Sequence, residues 1–94
     1  MITKPYRDKK YLAWIRKQPC VICRRTPSQA HHEALGNRGI GTKAPDTYTL
    51  PLCYMCHRNR ENTGFETFWE HEKDPKLQII EHLTRYIEYW KRGD

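Results

Sequence analysis

The sequence predicts a small α+β domain, and three observations support this fold class. Two short segments rich in β-forming residues lie between segments with helical periodicity. No repeat, low-complexity tract or linker divides the 94 residues, a length suited to one small domain. Two Cys-x2-Cys pairs offer the extra stabilisation that the marginal core of so short a chain needs.

The first half of the chain is predicted to contain a helix, a strand and a loop. Asp8 can cap a helix that extends to about Lys17, before Pro19 and the first cysteine pair end it. A short strand is predicted from Pro27 to Glu33. The stretch LGNRGIGTKAPD that follows is a loop by composition, because it is rich in glycine. The apolar stripe of the helix consists of Tyr11, Leu12, Trp14 and Ile15.

The second half is predicted to begin with a strand and to continue as helices. The alternating segment TYTLPLC predicts a strand from Thr47 to Leu52. A short helix from His57 to about Asn62 is expected to end near Gly64. A second helical piece follows, and it holds Phe65, Phe68 and Trp69 on neighbouring turns.

The last helix is predicted to start at Asp74 and Pro75, a capping residue followed by a first-turn proline. Apolar residues recur after it at three- to four-residue steps, the spacing of one helix face. We expect this face to lie in the core, although its aromatic residues could instead stack on bases. Its members are Leu77, Ile80, Leu83 or Thr84, Ile87 and Trp90.

Charge and hydropathy suggest a location and a class of partner. No segment has the length of apolar sequence that a membrane span requires, and the N-terminus lacks the apolar stretch of a secretory signal. We therefore expect a cytoplasmic protein. The net charge is +6, with basic residues spread along the chain, so a polyanion is the natural partner. Ordinary solubilising surface charge remains the alternative.

The four cysteines predict a structural metal site. Thiols stay reduced in the cytoplasm, so two Cys-x2-Cys pairs indicate metal ligands before disulfides. Four thiolates in a tetrahedral array are the usual closed site for Zn²⁺, although an iron–sulfur cluster could also use them. A closed site has no open coordination position, which argues for a structural ion. The ligands are Cys20, Cys23, Cys53 and Cys56.

Roughly residues 20–69 resemble a known nuclease family. The stretches AHHE, the basic glycine-rich loop, KAPDTYTLPLCYMCH and GFETFW are similar to small phage- or prophage-type HNH endonucleases with a paired-cysteine zinc site. The resemblance implies a ββα-metal (His-Me finger) core, in which one divalent cation faces the scissile phosphate. It divides residues 1–94 into an N-terminal helix (1–19), the zinc site with the ββα-metal core (20–64) and C-terminal helices (65–94).

The resemblance also implies roles for three histidines. His31 would bind the catalytic cation, His32 would be the general base that activates water, and His57 would be a second ligand of the cation. Many members have a further helix ligand four residues later, often histidine, where this chain has Glu61. A carboxylate favours harder ions, so Mg²⁺ or Mn²⁺ is expected at this site. A solvated helix acid is the alternative reading of Glu61.

The middle residue of the family motif is altered in this chain. Tyr48 occupies the position where many members carry an orienting Asn. Asp46 lies nearby and could orient a histidine by accepting its second N–H. It could equally be a turn residue after Pro45. The sequence leaves both readings open.

DNA, most simply double-stranded DNA, is the partner that the resemblance implies. Arg38, Lys43 and Arg58 are the candidates for holding its backbone, against a default role as surface charges. Two other functions stay open: a zinc-stapled module that binds DNA without cutting it, and an adaptor for phage packaging or recombination proteins. The sequence does not determine whether one strand is nicked or two are cut, nor the oligomeric state.

Overall fold

The computed structural model of the chain describes residues 5–35 and 44–92, which form a two-stranded sheet surrounded by helices. This architecture confirms the predicted α+β class. Most of the predicted glycine-rich loop, residues 36–43, lies outside the described residues. The elements are α1 (Lys9–Arg16), β1 (Gln29–His32), β2 (Thr49–Leu52), α2 (Tyr54–Glu61), α3 (Phe65–Trp69) and α4 (Pro75–Arg92).

Helix α1 agrees with its prediction. The carboxylate of Asp8 accepts a 3.0 Å hydrogen bond from the backbone N–H of Tyr11 and so caps the first turn. Tyr11 and Ile15, four residues apart on one helix face, are buried. The helix contacts both strands and α4, so it covers one part of the sheet.

The two strands pair in antiparallel orientation, with Gln29 opposite Leu52 and His32 opposite Thr49. Each strand is two residues shorter at its start than predicted, and β1 also ends one residue earlier. All four residues of β2 are buried, because α1, α2 and α4 all contact this strand. Pro51 is accommodated because its carbonyl oxygen still accepts a 3.0 Å hydrogen bond, from Val21 N–H.

Helix α2 begins at Tyr54, three residues before its predicted start at His57. Cys53 is the residue before the helix, and its carbonyl oxygen accepts a 2.8 Å hydrogen bond from His57 N–H that closes the first turn. The cysteine pair therefore belongs to the helix start, so Cys56 and His57 project from adjacent positions of one regular element.

The predicted core face of α4 is wrong except at Leu83, which packs against the buried core. The buried residues of this helix are Pro75, Gln78, Ile79 and His82. Ile79 is 5% exposed whereas Ile80 is 57% exposed. The expected apolar face therefore lies largely in solvent, with Leu77, Ile80, Ile87 and Trp90 all exposed.

Local hydrogen bonds explain how α4 buries polar residues instead. The side-chain amide of Gln78 donates to the carbonyl oxygen of Lys73, and His82 Nδ1–H donates to the carbonyl oxygen of Gln78. A buried polar group costs little once it is hydrogen-bonded. The ring of His82 also lies edge to face with Trp14 of α1, 6.3 Å between centroids. Packing against α1 and β2 thus decided the orientation of α4, against its apolar periodicity.

One hydrophobic cluster joins the sheet to α3 and α4. Two of its members are cysteines, so the predicted metal ligands are part of the core and not an appendage to it. The buried members of the cluster are Cys20, Val21, Leu50, Leu52, Cys53, Trp69 and Ile79.

Candidate metal centre and active site

The four predicted metal ligands lie together. The sulfur atoms of Cys20, Cys23, Cys53 and Cys56 all lie within 4.8 Å of one another, and those of Cys23 and Cys53 are 3.5 Å apart. Four sulfurs around Zn²⁺ at about 2.3 Å would be separated by about 3.8 Å. All four are free thiols. Their spacing therefore fits a tetrahedral ion of this size.

The first cysteine pair sits on a tight backbone knuckle. Cys20 N–H donates to the carbonyl oxygen of Arg25, and Arg24 N–H donates to the carbonyl oxygen of Cys20, each at 2.9 Å. Arg24 adopts a φ of 68°, which lets the chain reverse directly behind Cys23. The two Cys-x2-Cys pairs thus have different backbone conformations: the first pair lies on a turn with a left-handed residue, and the second lies at the start of a helix.

The electrostatics of the cysteine cluster favour a cation. A hydrogen bond from the backbone N–H of Cys56 lowers the pKa of the Cys53 thiol to about 7. Burial, followed by the neighbouring thiols, raises the pKa of Cys56 above its usual range. One thiolate therefore forms readily, and the next is opposed by burial and by the charge already present. A divalent cation would relieve that opposition.

His31 and His57, the two predicted histidine ligands, lie side by side. Their ring centroids are 5.1 Å apart, with the rings inclined at 71°. His31 Nε2–H donates to Glu33 at 3.1 Å, and His57 Nδ1–H donates to the side-chain oxygen of Gln29 at 2.5 Å. These bonds leave His31 Nδ1 and His57 Nε2 as the nitrogens available to a cation. Burial, with the neighbouring His31, lowers the pKa of His57, which favours the neutral ring that binds metals.

Glu61 lies near this histidine pair but on the solvent side. Its carboxylate is 3.9 Å from His57 Nε2, as expected for positions four residues apart on a helix. Among the described residues, only the four cysteines form a group of three or more ligand atoms within 4.8 Å of one another. His31, His57 and Glu61 are therefore more widely spaced than the cysteines. The exposed side chain of Glu61 is the member free to move toward the two rings.

His32 contacts Asp46, one of the two candidate orienting residues. His32 Nε2–H donates to Asp46 Oδ1 at 2.7 Å. Asp46 is 2% exposed, and it also accepts hydrogen bonds from Arg7 and from the backbone N–H of Asp8. Burial by itself would raise the pKa of Asp46, but these bonds lower it. The side chain that holds the His32 ring is therefore an ionised carboxylate at neutral pH.

Both readings of Asp46 are compatible with its position. It lies in the turn before β2, where its carbonyl oxygen accepts from Thr49 Oγ1–H at 2.8 Å. Its side chain meanwhile binds His32. Tyr48, the other candidate, packs its side chain against the core cluster, while its carbonyl oxygen accepts from Glu33 N–H. Of the two candidate orienting residues, Asp46 is therefore the one that forms a hydrogen bond with His32.

Glu33 is a site residue that the sequence analysis missed. It is 1% exposed, and its carboxylate accepts hydrogen bonds from His31, from Arg60 through two guanidinium nitrogens, and from Trp69 Nε1–H. Burial alone would raise the pKa of Glu33, but these bonds outweigh it and lower the pKa below the usual range. An acid directly after the paired histidines was the only signal of this role, and no spacing rule links it to Arg60 or Trp69.

The predicted DNA-contacting residues fall into two groups. Arg38 and Lys43 lie outside the described residues. Arg58 is exposed on α2, where it donates to the hydroxyl of Tyr54 at 3.0 Å and lies 5.7 Å from the centre of that ring. Its guanidinium is therefore accessible on the helix that carries His57.

Comparison with known proteins identifies relatives but no structural match. The chain is 37% identical over 73 residues to "Uncharacterized protein YdfU" of Escherichia coli (strain K12). The match covers 77% of this chain and 20% of that protein, so the chain spans about a fifth of its relative's length. No solved structure matches the chain. The profile described as "Protein of unknown function (DUF968)" matches residues 3–88, and the chain therefore belongs to the DUF968 family.

Proposed function

We propose that this protein is a metal-dependent DNA endonuclease of the HNH type, which hydrolyses phosphodiester bonds and nicks double-stranded DNA. In this proposal β1, β2 and α2 form the ββα-metal core, and Cys20, Cys23, Cys53 and Cys56 bind a structural Zn²⁺. The catalytic Mg²⁺ or Mn²⁺ is held by His31, His57 and Glu61, and His32 is the general base.

One observation carries the proposal: each of the three histidines has one ring nitrogen bound to a side-chain oxygen. The partners are Glu33 for His31, Gln29 for His57 and Asp46 for His32. Metal-binding and catalytic histidines are commonly oriented in this way, because the second hydrogen bond fixes the tautomer and the ring plane. A small domain can fold without three histidines that are each oriented by a separate side chain, so this arrangement supports a functional role.

His82 shows what a structural histidine looks like in the same molecule. Its Nδ1–H donates to a carbonyl oxygen within its own helix, and its ring packs on Trp14. Neither contact orients the ring toward another potential ligand. The contrast supports a separate role for His31, His32 and His57.

The proposed chemistry assigns each residue a step. His32, with Nε2–H bound to Asp46, accepts a proton at Nδ1 from the water that attacks phosphorus. Asp46 then stabilises the imidazolium that forms, while the bond from phosphorus to the 3′ oxygen breaks and that oxygen takes a proton from solvent water. By resemblance to the family, the products carry 5′-phosphate and 3′-hydroxyl ends. A bound cation would supply neutralisation of the charge that develops on the phosphoryl oxygens.

The strand geometry restricts where the phosphate can lie. His31 and His32 are the last two residues of β1, and successive side chains of a strand project to opposite faces. Both rings can serve one phosphate only if it lies across the end of the strand. We therefore place the scissile phosphate at the C-terminal end of β1, between the His31–His57 pair and the His32–Asp46 pair.

A plasmid nicking assay tests the proposal. Purified protein is incubated with supercoiled plasmid, with and without Mg²⁺ or Mn²⁺, beside His32→Ala and the matched control His71→Ala, whose side chain is exposed. We expect nicked circles from the parent and the control only with cation, and a rate about 10²–10⁴-fold lower for His32→Ala.

Two results would contradict the proposal. Equal nicking by His32→Ala would remove His32 as the base. Binding of the plasmid without any nicking, under all cation conditions, would favour the alternative of a zinc-stapled DNA-binding module.

A further inference from the structure

A groove separates the exposed sides of α1 and α4. It has a volume of about 430 Å³, and it lies outside the histidine site. Its size is in the range of sites that bind small molecules. We call it the α1–α4 groove; its main lining residues are Lys10, Trp14, Lys17, Tyr86, Tyr89 and Trp90.

The groove is built from aromatic rings that remain accessible. Tyr86 lies edge to face with both Trp14 and Trp90, at centroid distances of 5.3 and 6.0 Å. Tyr89 contacts Trp90 in the same manner at 5.6 Å. Trp90 is nevertheless 48% exposed and Tyr89 is 55% exposed. The rings therefore support one another and still offer ring surface to a further planar group.

The charge of the groove selects an anionic partner. Lys10 and Lys17 line it, and none of its described lining residues is acidic. The Nζ atom of Lys10 lies 5.8 Å from the centre of the Trp90 ring, so an ammonium group and an indole meet at one place. Lys9 and Arg16 are exposed on the same helix, where the one acid, Asp8, is engaged as the cap. Aromatic rings alternating with cations are the surface that unpaired nucleic acid requires.

The start of α1 connects this groove to the proposed general base. Arg7 and the backbone N–H of Asp8 both bind Asp46, which holds His32. Lys10 follows two residues later in the first turn of α1. The N-terminal end of α1 therefore lies against the carboxylate that holds His32, and Lys10 in its first turn lies at the groove.

We infer that the α1–α4 groove binds an unpaired segment of nucleic acid, with bases stacked on Trp90 and Tyr89 and phosphates near Lys10 and Lys17. Paired bases do not expose their faces, so a duplex alone would not use this groove. The inference rests on the proposed function only for its consequence, that the preferred substrate is DNA with a single-stranded branch or end.

Binding of a labelled oligothymidylate, without divalent cation, tests the groove directly. We expect Trp90→Ala to weaken binding about 5- to 100-fold, and Trp90→Phe to retain most of it because phenyl rings also stack. Lys10→Gln should lower the slope of log K against log salt by about 0.7, the value for one phosphate contact on a single strand. Ile80→Ala and Lys76→Gln, exposed positions of α4 that do not line the groove, should bind like the parent.

Further measurements separate stacking from charge and from other occupants. The oligothymidylate should quench tryptophan fluorescence in the parent, and most of this quenching should vanish in Trp90→Phe. A blunt-ended duplex of two separate strands, which has no unpaired loop, should bind with an affinity that Trp90→Ala does not change. If Trp90→Ala does not fold, Trp90→Phe, Tyr89→Ala and Lys10→Gln give the same tests.

Three outcomes would overturn the inference: parental affinity in Trp90→Ala, equal sensitivity of the loop-free duplex to Trp90→Ala, or a dimer of the free parent protein that Trp90→Ala dissociates. The last would make the groove an interface between copies of this chain. Failure of the nuclease is a separate result. Plasmid nicking would then be absent while His32→Ala and the parent bind oligothymidylate equally through Trp90.

Discussion

The region around His31, His32 and His57 and the α1–α4 groove are stabilised by different kinds of contact. In the histidine region, the buried carboxylates of Glu33 and Asp46 each accept at least three hydrogen bonds. In the groove, aromatic rings contact one another edge to face and remain half in water. The histidine region buries polar groups that hydrogen bonds hold in one arrangement. The groove instead leaves apolar ring surface exposed to solvent.

The difference teaches where each region can act. A buried carboxylate is tolerable only when all its partners are in place, so the histidine region is specific in geometry and sensitive to any single change. Exposed rings tolerate substitution, but they signal a binding surface when several are contiguous. Chemistry is therefore expected at the first region and recognition at the second.

The largest expected effect concerns the cysteine cluster that underlies the histidine region. Removal of metal by a chelator, or the substitution Cys53→Ser, should abolish the cooperative thermal transition, because structural zinc contributes about 10–16 kcal/mol in comparable sites. That exceeds the stability of most small domains. Met55→Ser, two residues away and exposed, should unfold like the parent. If the chelated protein unfolded at the same temperature as the untreated parent, metal binding by the cysteines would not be what stabilises this fold.

The next effect tests whether the histidine region depends on its buried charges. Glu33→Gln should destabilise the protein by about 3–5 kcal/mol, because it leaves the largely buried guanidinium of Arg60 without its carboxylate. The exposed Glu66→Gln should change the free energy of unfolding by less than about 0.5 kcal/mol. Urea denaturation measures both. Similar losses for the two variants would contradict a special role for the Glu33 network.

Two adjacent isoleucines of α4 test which face of that helix is in the core. Ile79→Ala should cost about 2–5 kcal/mol, the range for deleting a buried aliphatic side chain. Ile80→Ala should cost less than about 0.5 kcal/mol, since most of that side chain is in solvent. The comparison is made by urea denaturation of the purified proteins at one concentration. If Ile80→Ala destabilised the protein more than Ile79→Ala, the predicted face that contains Ile80 would be the one in the core.

The smallest effect is the pH dependence contributed by His82. Burial, with Arg85 and Arg24 nearby, lowers the pKa of His82 against the opposing effects of its hydrogen bond to the Gln78 carbonyl oxygen and of Glu81. As pH falls through about 6.5, the unfolded chain takes up this proton before the folded chain does, so stability decreases toward acid. His82→Gln should therefore flatten the decline between about pH 7 and the lower folded pKa, relative to the exposed control His71→Gln. Parallel curves for all three proteins would contradict the shift.

The parts of the fold that were predictable depend on contacts between close neighbours in sequence. The Asp8 cap acts on Tyr11, three residues away, and the start of α4 needs only Asp74 and Pro75. The start of α2 was predicted too late because no capping side chain marks it: Cys53, the residue before the helix, makes no side-chain capping hydrogen bond. The orientation of α4 was wrong because periodicity does not reveal which neighbour a helix meets.

In the candidate site, the four cysteines could be predicted because two Cys-x2-Cys pairs are by residue type and spacing the usual ligands of a structural metal ion. The role of Glu33 could not be found, because its partners Arg60 and Trp69 lie 27 and 36 residues further along the chain. Asp46 was recognised as a candidate, but its contacts with Arg7 and Asp8 were not.

The sequence by itself determined the order of the elements and the four residues that can hold one metal ion, because capping and ligand type act over a few residues. Only the tertiary structure decided which side chain orients each of His31, His32 and His57 and which face of α4 stays in water. Those outcomes depend on how distant segments pack, and packing favours the arrangement in which every buried charge finds its partners at once.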